Sequence, residues 1–159
     1  IISSQKIRNL IQNGQLKPAN DLLGRNWCIT GTVEKGKQQG REIGFPTANV
    51  SLKNFLKPPL GVYVSRVKLI SSKNSEICND WLPSISNVGT RPTVSGNSIN
   101  LETHIINFKQ NNFNTNLYEK RIKVELIEFL RPEKKFESLS ELQKQIKVDT
   151  KRACEFHKL

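Results

Sequence analysis

Apolar and polar residues alternate along several short stretches of this chain, and a two-residue period predicts strands. Trp27–Val33 is rich in β-forming residues, and Gly61–Ile70 alternates cleanly in its middle. Leu82–Val88 and Ile99–Phe108 are two further strands, and Ile122–Leu130 alternates in its first half. Ser71 to Ser75 reads as a polar turn. Strands that follow one another through short turns, with no helical pattern between them, pair antiparallel, and closing the sheet on itself hides its edges. The flanks are helical. Ser4 is expected to cap a helix running to Asn13, with Ile7, Leu10 and Ile11 on one stripe and Gly14 at its end. Pro18 suits the first turn of a second short helix carrying Leu22 and Leu23 and closed by Gly24. Ser138-Leu139-Ser140-Glu141 has the form of a capping box. Behind it Leu139, Leu142, Ile146, Ala153 and Phe156 recur at helical spacing, a stripe expected to pack on the barrel as core. The expected fold is mainly β: an antiparallel, Greek-key-like closed β-barrel with a C-terminal helix packed on it and a short helical lead-in. Residues 1–24 form the lead-in and 25–159 the barrel domain.

Composition narrows the class. With 36% hydrophobic and 25% charged residues in 159, the chain can bury one core. No apolar run approaches the roughly 18 residues of a membrane span, and no signal peptide is visible. Cys28, Cys78 and Cys154 are scattered and form no C-x-x-C pair, which argues against a disulfide framework or a zinc site and for a reducing cytoplasm. The chain opens on Ile1-Ile2-Ser3-Ser4 without an initiating Met and is expected to be a piece of a longer polypeptide. A net charge of +11 favours anionic partners without choosing among nucleic acid, lipid and nucleotide phosphates.

Candidate chemistry lies in residues 31–49. Gly36, Gly40 and Gly44 are spaced by four, and glycines let backbone N–H groups approach phosphate oxygens. The stretch is neither a Walker A loop nor the dinucleotide G-x-G-x-x-G, so by itself it also reads as a mobile hairpin loop. Phe45-Pro46-Thr47-Ala48-Asn49 follows. Thr47 and Asn49 carry hard oxygen donors of the kind Mg²⁺ accepts beside water and phosphate, although turn capping is the ordinary use of such residues.

The run from Gly31 to Asn49 resembles the signature of the riboflavin kinase family, a Gly-rich loop running into Gly-Phe-Pro-Thr-Ala-Asn. Three later segments are similar to that family's in the same order: Asn87-Val88-Gly89-Thr90-Arg91-Pro92-Thr93, Leu101-Glu102-Thr103-His104-Ile105, and Leu130-Arg131-Pro132-Glu133-Lys134-Lys135-Phe136. The resemblance implies an ATP-dependent, Mg²⁺-requiring transfer of a phosphoryl group to the 5′-hydroxyl of riboflavin, giving FMN and ADP. It carries metal and phosphate binding to Thr47 and Asn49, phosphate binding to Gly36, Gly40, Arg41 and Gly44, and the general base to Glu102. Asn107, Tyr118 and Arg131 are the candidates for flavin contact, and His104 is read as structural. Lys35, Gln39 and the run Asn116-Leu117-Tyr118-Glu119 depart from the family's pattern, the last by losing a glycine at Glu119. The lead-in, Ile2-Ser3-Ser4-Gln5-Lys6-Ile7-Arg8, is similar to the motif that closes the adenylyltransferase domain of bacterial bifunctional FAD synthetases. The only histidines, His104 and His157, do not form that domain's His-x-Gly-His site, so this chain is expected to make FMN and not FAD. Two other readings are a basic nucleic-acid-binding barrel, for which 7% aromatics without a stacking cluster are a poor match, and a flavin-binding domain without catalysis.

Overall fold

The computed structural model describes residues 3–37, 39–70, 80–106 and 117–159, and of residues 39 and 40 the backbone alone. Cys78, the expected turn at 71–75 and Asn107 lie outside the described residues. The elements are α1 (Ser4–Gln12), α2 (Leu16–Leu23), β1 (Cys28–Thr32), α3 (Gln39–Glu42), β2 (Ala48–Ser51), β3 (Gly61–Ile70), β4 (Leu82–Thr93), β5 (Gly96–Ile105), β6 (Arg121–Pro132) and α4 (Leu139–His157).

The six strands form one antiparallel sheet in the order β1-β6-β3-β4-β5-β2. Three consecutive strands, β3 to β5, are joined by β6 returning beside β3, which is a Greek key. The sheet curls until its two edges meet at a single bridge, Glu34 to Asn49, where the Glu34 N–H donates to the Asn49 carbonyl at 2.8 Å. The barrel is therefore nearly closed. Its interior is filled by alternate residues of every strand, among them Ile29, Val50, Tyr63, Val67, Val88, Leu101, Val124 and Leu126. Four hydroxyls share that interior. Ser65 bonds Ser84 and Ser86 at 2.7 Å each, and Ser86 bonds Thr103 at 2.8 Å, so each of these buried polar side chains has a partner.

The alternation in β6 stops at its middle because the strand bulges twice. Tyr63 pairs with Phe129 and Val62 with Arg131; Val64 pairs with Glu128 and Ser65 with Leu126. Leu130 and Ile127 are the extra residues, and both join Val64, Ile106 and Ala153 in a second cluster beneath α4. Gly61 makes the upper bulge possible. Its φ is +150°, and a Cβ there would overlap the Arg131 carbonyl.

The helices differ in detail from the expectation. Ser3, not Ser4, caps α1, its hydroxyl accepting from the Lys6 N–H at 3.1 Å. Leu16 of α2 belongs to the barrel's core cluster. In α4 the Ser138 hydroxyl accepts from the Glu141 N–H at 3.2 Å, while the Glu141 carboxylate reaches the Glu137 N–H at 3.2 Å. Of the α4 stripe only Ala153 is fully buried. Leu139 and Phe156 are exposed, and Leu142 and Ile146 line a cavity instead of packing as core, because the barrel surface is concave beneath that end of the helix. No helix among the described residues is long and apolar enough to cross a membrane.

The glycine missing at position 119 has a structural counterpart. Glu119 is the third residue of a turn closed by the Lys120 N–H to the Leu117 carbonyl at 3.2 Å, and its φ is +66°. A side chain at such a φ costs about 1–2 kcal/mol, partly offset by the entropy a glycine loses on folding. Glu119→Gly is expected to stabilise the chain by about 0.5–1 kcal/mol, read as a higher denaturant midpoint at unchanged slope.

Candidate active site

Strand pairing decides which side chains meet. Leu101, Thr103 and Ile105 of β5 point into the barrel, so Glu102 and His104 point out. Glu102 lies directly opposite Asn49 of β2 and Asn87 of β4. Cross-strand partners share a face, so the carboxylate is flanked by two carboxamides. Thr47 precedes β2 and lines the same cavity as Glu102, Asn87 and His104.

That cavity, about 260 Å³, lies between the outer face of β3–β5, the Phe45–Thr47 segment, residues 131–136 and α4. Its lining combines polar groups, among them Thr47, Asn87, Glu102 and Glu133, with apolar ones, among them Val62, Ile85, Phe136, Leu142 and Ile146. Glu133 sits against Gly89, where a Cβ would lie 2.6 Å from its Oε1 and 3.0 Å from Asn87 Nδ2. Burial pushes the Glu102 carboxyl above its ordinary value; Arg91 and Lys37 draw it back, and Glu133 raises it further.

Asn49 is 5% exposed, and its Oδ1 is buried without a hydrogen-bond partner. An orphaned buried acceptor costs about 1–3 kcal/mol, and a cation is a natural partner for it. Gly36 abuts the Asn49 carboxamide, and a Cβ there would overlap it. Among the described residues no group of three or more His, Cys, Asp or Glu side chains could hold a metal. A threonine hydroxyl and a carboxamide oxygen still fit Mg²⁺, which keeps water and phosphate in its remaining positions.

The remaining candidates fall in three places. Gly40 and Arg41 lie in the one-turn helix α3, Arg41 exposed, and Gly44 follows with φ +86°. The Gln143 amide of α4 reaches back to the Ile43 carbonyl at 3.2 Å. Arg131 lines the cavity, but its guanidinium is committed: Nε and Nη2 clasp the buried Asp149 carboxylate at 2.9–3.1 Å, and Nη1 donates to the Pro132 carbonyl. Tyr118 is not among the cavity's lining residues; it packs against the barrel core with the Lys35 ammonium 5.9 Å from its ring centroid. Sequence reasoning did not assign Asn87, Glu133, Lys37 or Arg91 to the site. Two of the similar segments already contained Asn87, Arg91 and Glu133, and that was the available signal.

Comparison with known proteins agrees with this architecture. The family described as Flavokinase, riboflavin kinase, matches residues 23–157. The bifunctional riboflavin kinase/FMN adenylyltransferase of Haemophilus influenzae is 39% identical over 155 residues, covering 98% of this chain and 46% of that protein. The chain thus spans about half the length of the curated relatives it matches. The crystal structure of the macrolide-efflux protein from Streptococcus pneumoniae superposes with a TM-score of 0.78 at 32% identity, over 94% of this chain and 45% of that one. Riboflavin kinase from Trypanosoma brucei shares the fold at 18% identity and a TM-score of 0.50, over 81% of this chain and 75% of that one.

Proposed function

Because the chain belongs to the riboflavin kinase family, we propose that it transfers the γ-phosphoryl group of ATP to the 5′-hydroxyl of riboflavin, releasing FMN and ADP. The observation that carries this reading is the position of Glu102. It is a half-buried carboxylate in a cavity lined by both polar and apolar side chains, with the unpaired Asn49 oxygen on the strand beside it. The apolar side chains suit a flat ring system, and the polar ones suit a hydroxyl and a phosphate chain.

In this mechanism Thr47 and Asn49 would hold Mg²⁺ through their side-chain oxygens. When bound, the ion neutralises charge on the transferring phosphates. Gly36, with no Cβ, lets its backbone lie against the Asn49 carboxamide, and Lys37 and Arg91, whose charges already act on Glu102, balance the negative charge of the phosphate chain. Glu102 takes the proton of the 5′-hydroxyl as the new O–P bond forms. The bond from the γ-phosphorus to its bridging oxygen breaks, and ADP leaves with the electron pair.

Within the whole protein, residues 1–24 would continue from an adenylyltransferase domain that makes FAD. The two histidines of this chain lie apart, His104 on β5 and His157 at the end of α4, and form no His-x-Gly-His site, which supports FMN as the end product here. Incubating the purified chain with riboflavin and MgATP and separating the flavins by chromatography should give FMN and no FAD. Unchanged riboflavin would end the kinase reading, and FAD would end the restriction to one step.

A further inference from the structure

Among the described residues, His104 links the Phe45–Pro46 segment to the strand that carries Glu102. It stands two residues beyond Glu102 on the same outward face of β5, and it lines the cavity with Glu102 and Thr47. Its Nδ1 lies 2.9 Å from the Pro46 carbonyl, an acceptor only, so Nδ1 carries the proton and donates. The Phe45 ring meets the imidazole edge to face at 5.3 Å between centroids. Burial lowers the pKa of the ring, which keeps it neutral with Nδ1 protonated, and the bond to Pro46 acts in the opposite sense. Residues 45–47 belong to no strand, and Thr47 leads directly into β2.

We propose that His104 is a positioning residue: by gripping Phe45 and Pro46 from the strand that carries Glu102, it fixes the distance between the Thr47 hydroxyl and the Glu102 carboxylate. The inference rests on the kinase reading above. Phosphoryl transfer depends on alignment, and a displacement of about 1 Å can cost about 10²-fold in rate. One imidazole bonded across the gap supplies that alignment.

Three substitutions separate this role from a packing role. In asparagine the amide nitrogen lies as many bonds from Cβ as Nδ1 does in histidine; in glutamine it lies one bond further. His104→Asn should therefore keep the bond to Pro46, while His104→Gln and His104→Ala should lose it. Hydrogen exchange at Thr47 and Ala48, measured without substrates, should accelerate in the Gln and Ala variants and not in the Asn variant. In assays the Gln and Ala variants should lose about 10–10²-fold in kcat and need more Mg²⁺ for half-maximal rate, with the KM for riboflavin nearly unchanged. The proposal is overturned if His104→Gln matches His104→Asn in these readouts, or if His104→Ala loses thermal stability alone. A chain that makes no FMN at all would overturn the kinase reading, and the exchange pattern would still show whether the clamp exists.

Discussion

Replacing Glu102 by glutamine is expected to cut turnover of riboflavin by about 10²–10⁴-fold, the loss that follows removal of a general base, while making the chain more stable at neutral pH. The two effects share one cause. Burial raises the pKa of Glu102, and Glu133 adds to the rise. A carboxyl whose folded pKa exceeds its unfolded one prefers to be protonated in the folded state, so its ionised form opposes folding. Below the unfolded pKa, near the ordinary value of 4.5, both states are protonated and no penalty exists. The penalty grows as pH rises and is complete above the raised pKa. Glutamine removes the charge and keeps the shape, so the gain in Tm should be full at pH 7 and should fade as pH falls toward 4.5. Turnover of the unmodified chain has the opposite sign: it needs the ionised base and should be lost on the acid side through the same raised pKa. A pH–rate profile of kcat/KM and a melting series across pH 4–8 test both. Near-full turnover in Glu102→Gln would remove Glu102 as the base, and a lower Tm at pH 7 would remove the account of its burial.

The barrel was legible because five of its strands are short β-forming runs without helical patterns between them, and part of two of them alternates, as in Ile122 to Leu126, where Ile122, Val124 and Leu126 face inward. β2 was not. Thr47-Ala48-Asn49 reads locally as a turn, and Ala48–Ser51 becomes a strand only through its ladder with β5, a partner some fifty residues away. The second half of β6 was hidden for a similar reason, since the bulges at Ile127 and Leu130 are set by β3 and not by β6's own pattern. The apolar stripe of α4 was visible, but whether Leu142 and Ile146 meet a core or a cavity depends on the surface opposite them. At the site, the structure brings Thr47, Asn49 and Glu102 together, and adds Asn87 and Glu133 through the register of β4 and the path after β6. That convergence is a property of strand register, which single-residue chemistry does not contain.

Asn49→Leu carries the same trade between activity and stability to the metal side of the site. Leucine has the branching and heavy-atom count of asparagine in a somewhat larger volume and occupies the position without an acceptor. The Asn49 oxygen has no hydrogen bond in the absence of ligands, and leaving a buried acceptor unpaired costs about 1–3 kcal/mol. Removing it should leave the ligand-free chain at least as stable as before, provided the branched side chain clears Gly36, against which Asn49 already packs. A Tm equal to or above that of the unmodified chain shows that the fold has kept its shape. With the fold intact, the rate at saturating riboflavin should fall by about 10²-fold or more, equivalent to about 2.7 kcal/mol of lost transition-state stabilisation. The Mg²⁺ concentration for half-maximal rate should rise, while the KM for riboflavin stays nearly constant, because the apolar residues lining the cavity are untouched. Mg²⁺ titrations at fixed ATP, run on both proteins, decide the matter. An unchanged Mg²⁺ requirement in a well-folded Asn49→Leu would mean that the carboxamide does not hold the ion, and the orphaned oxygen would then need a different partner, such as the phosphate-bearing substrate's own hydroxyls.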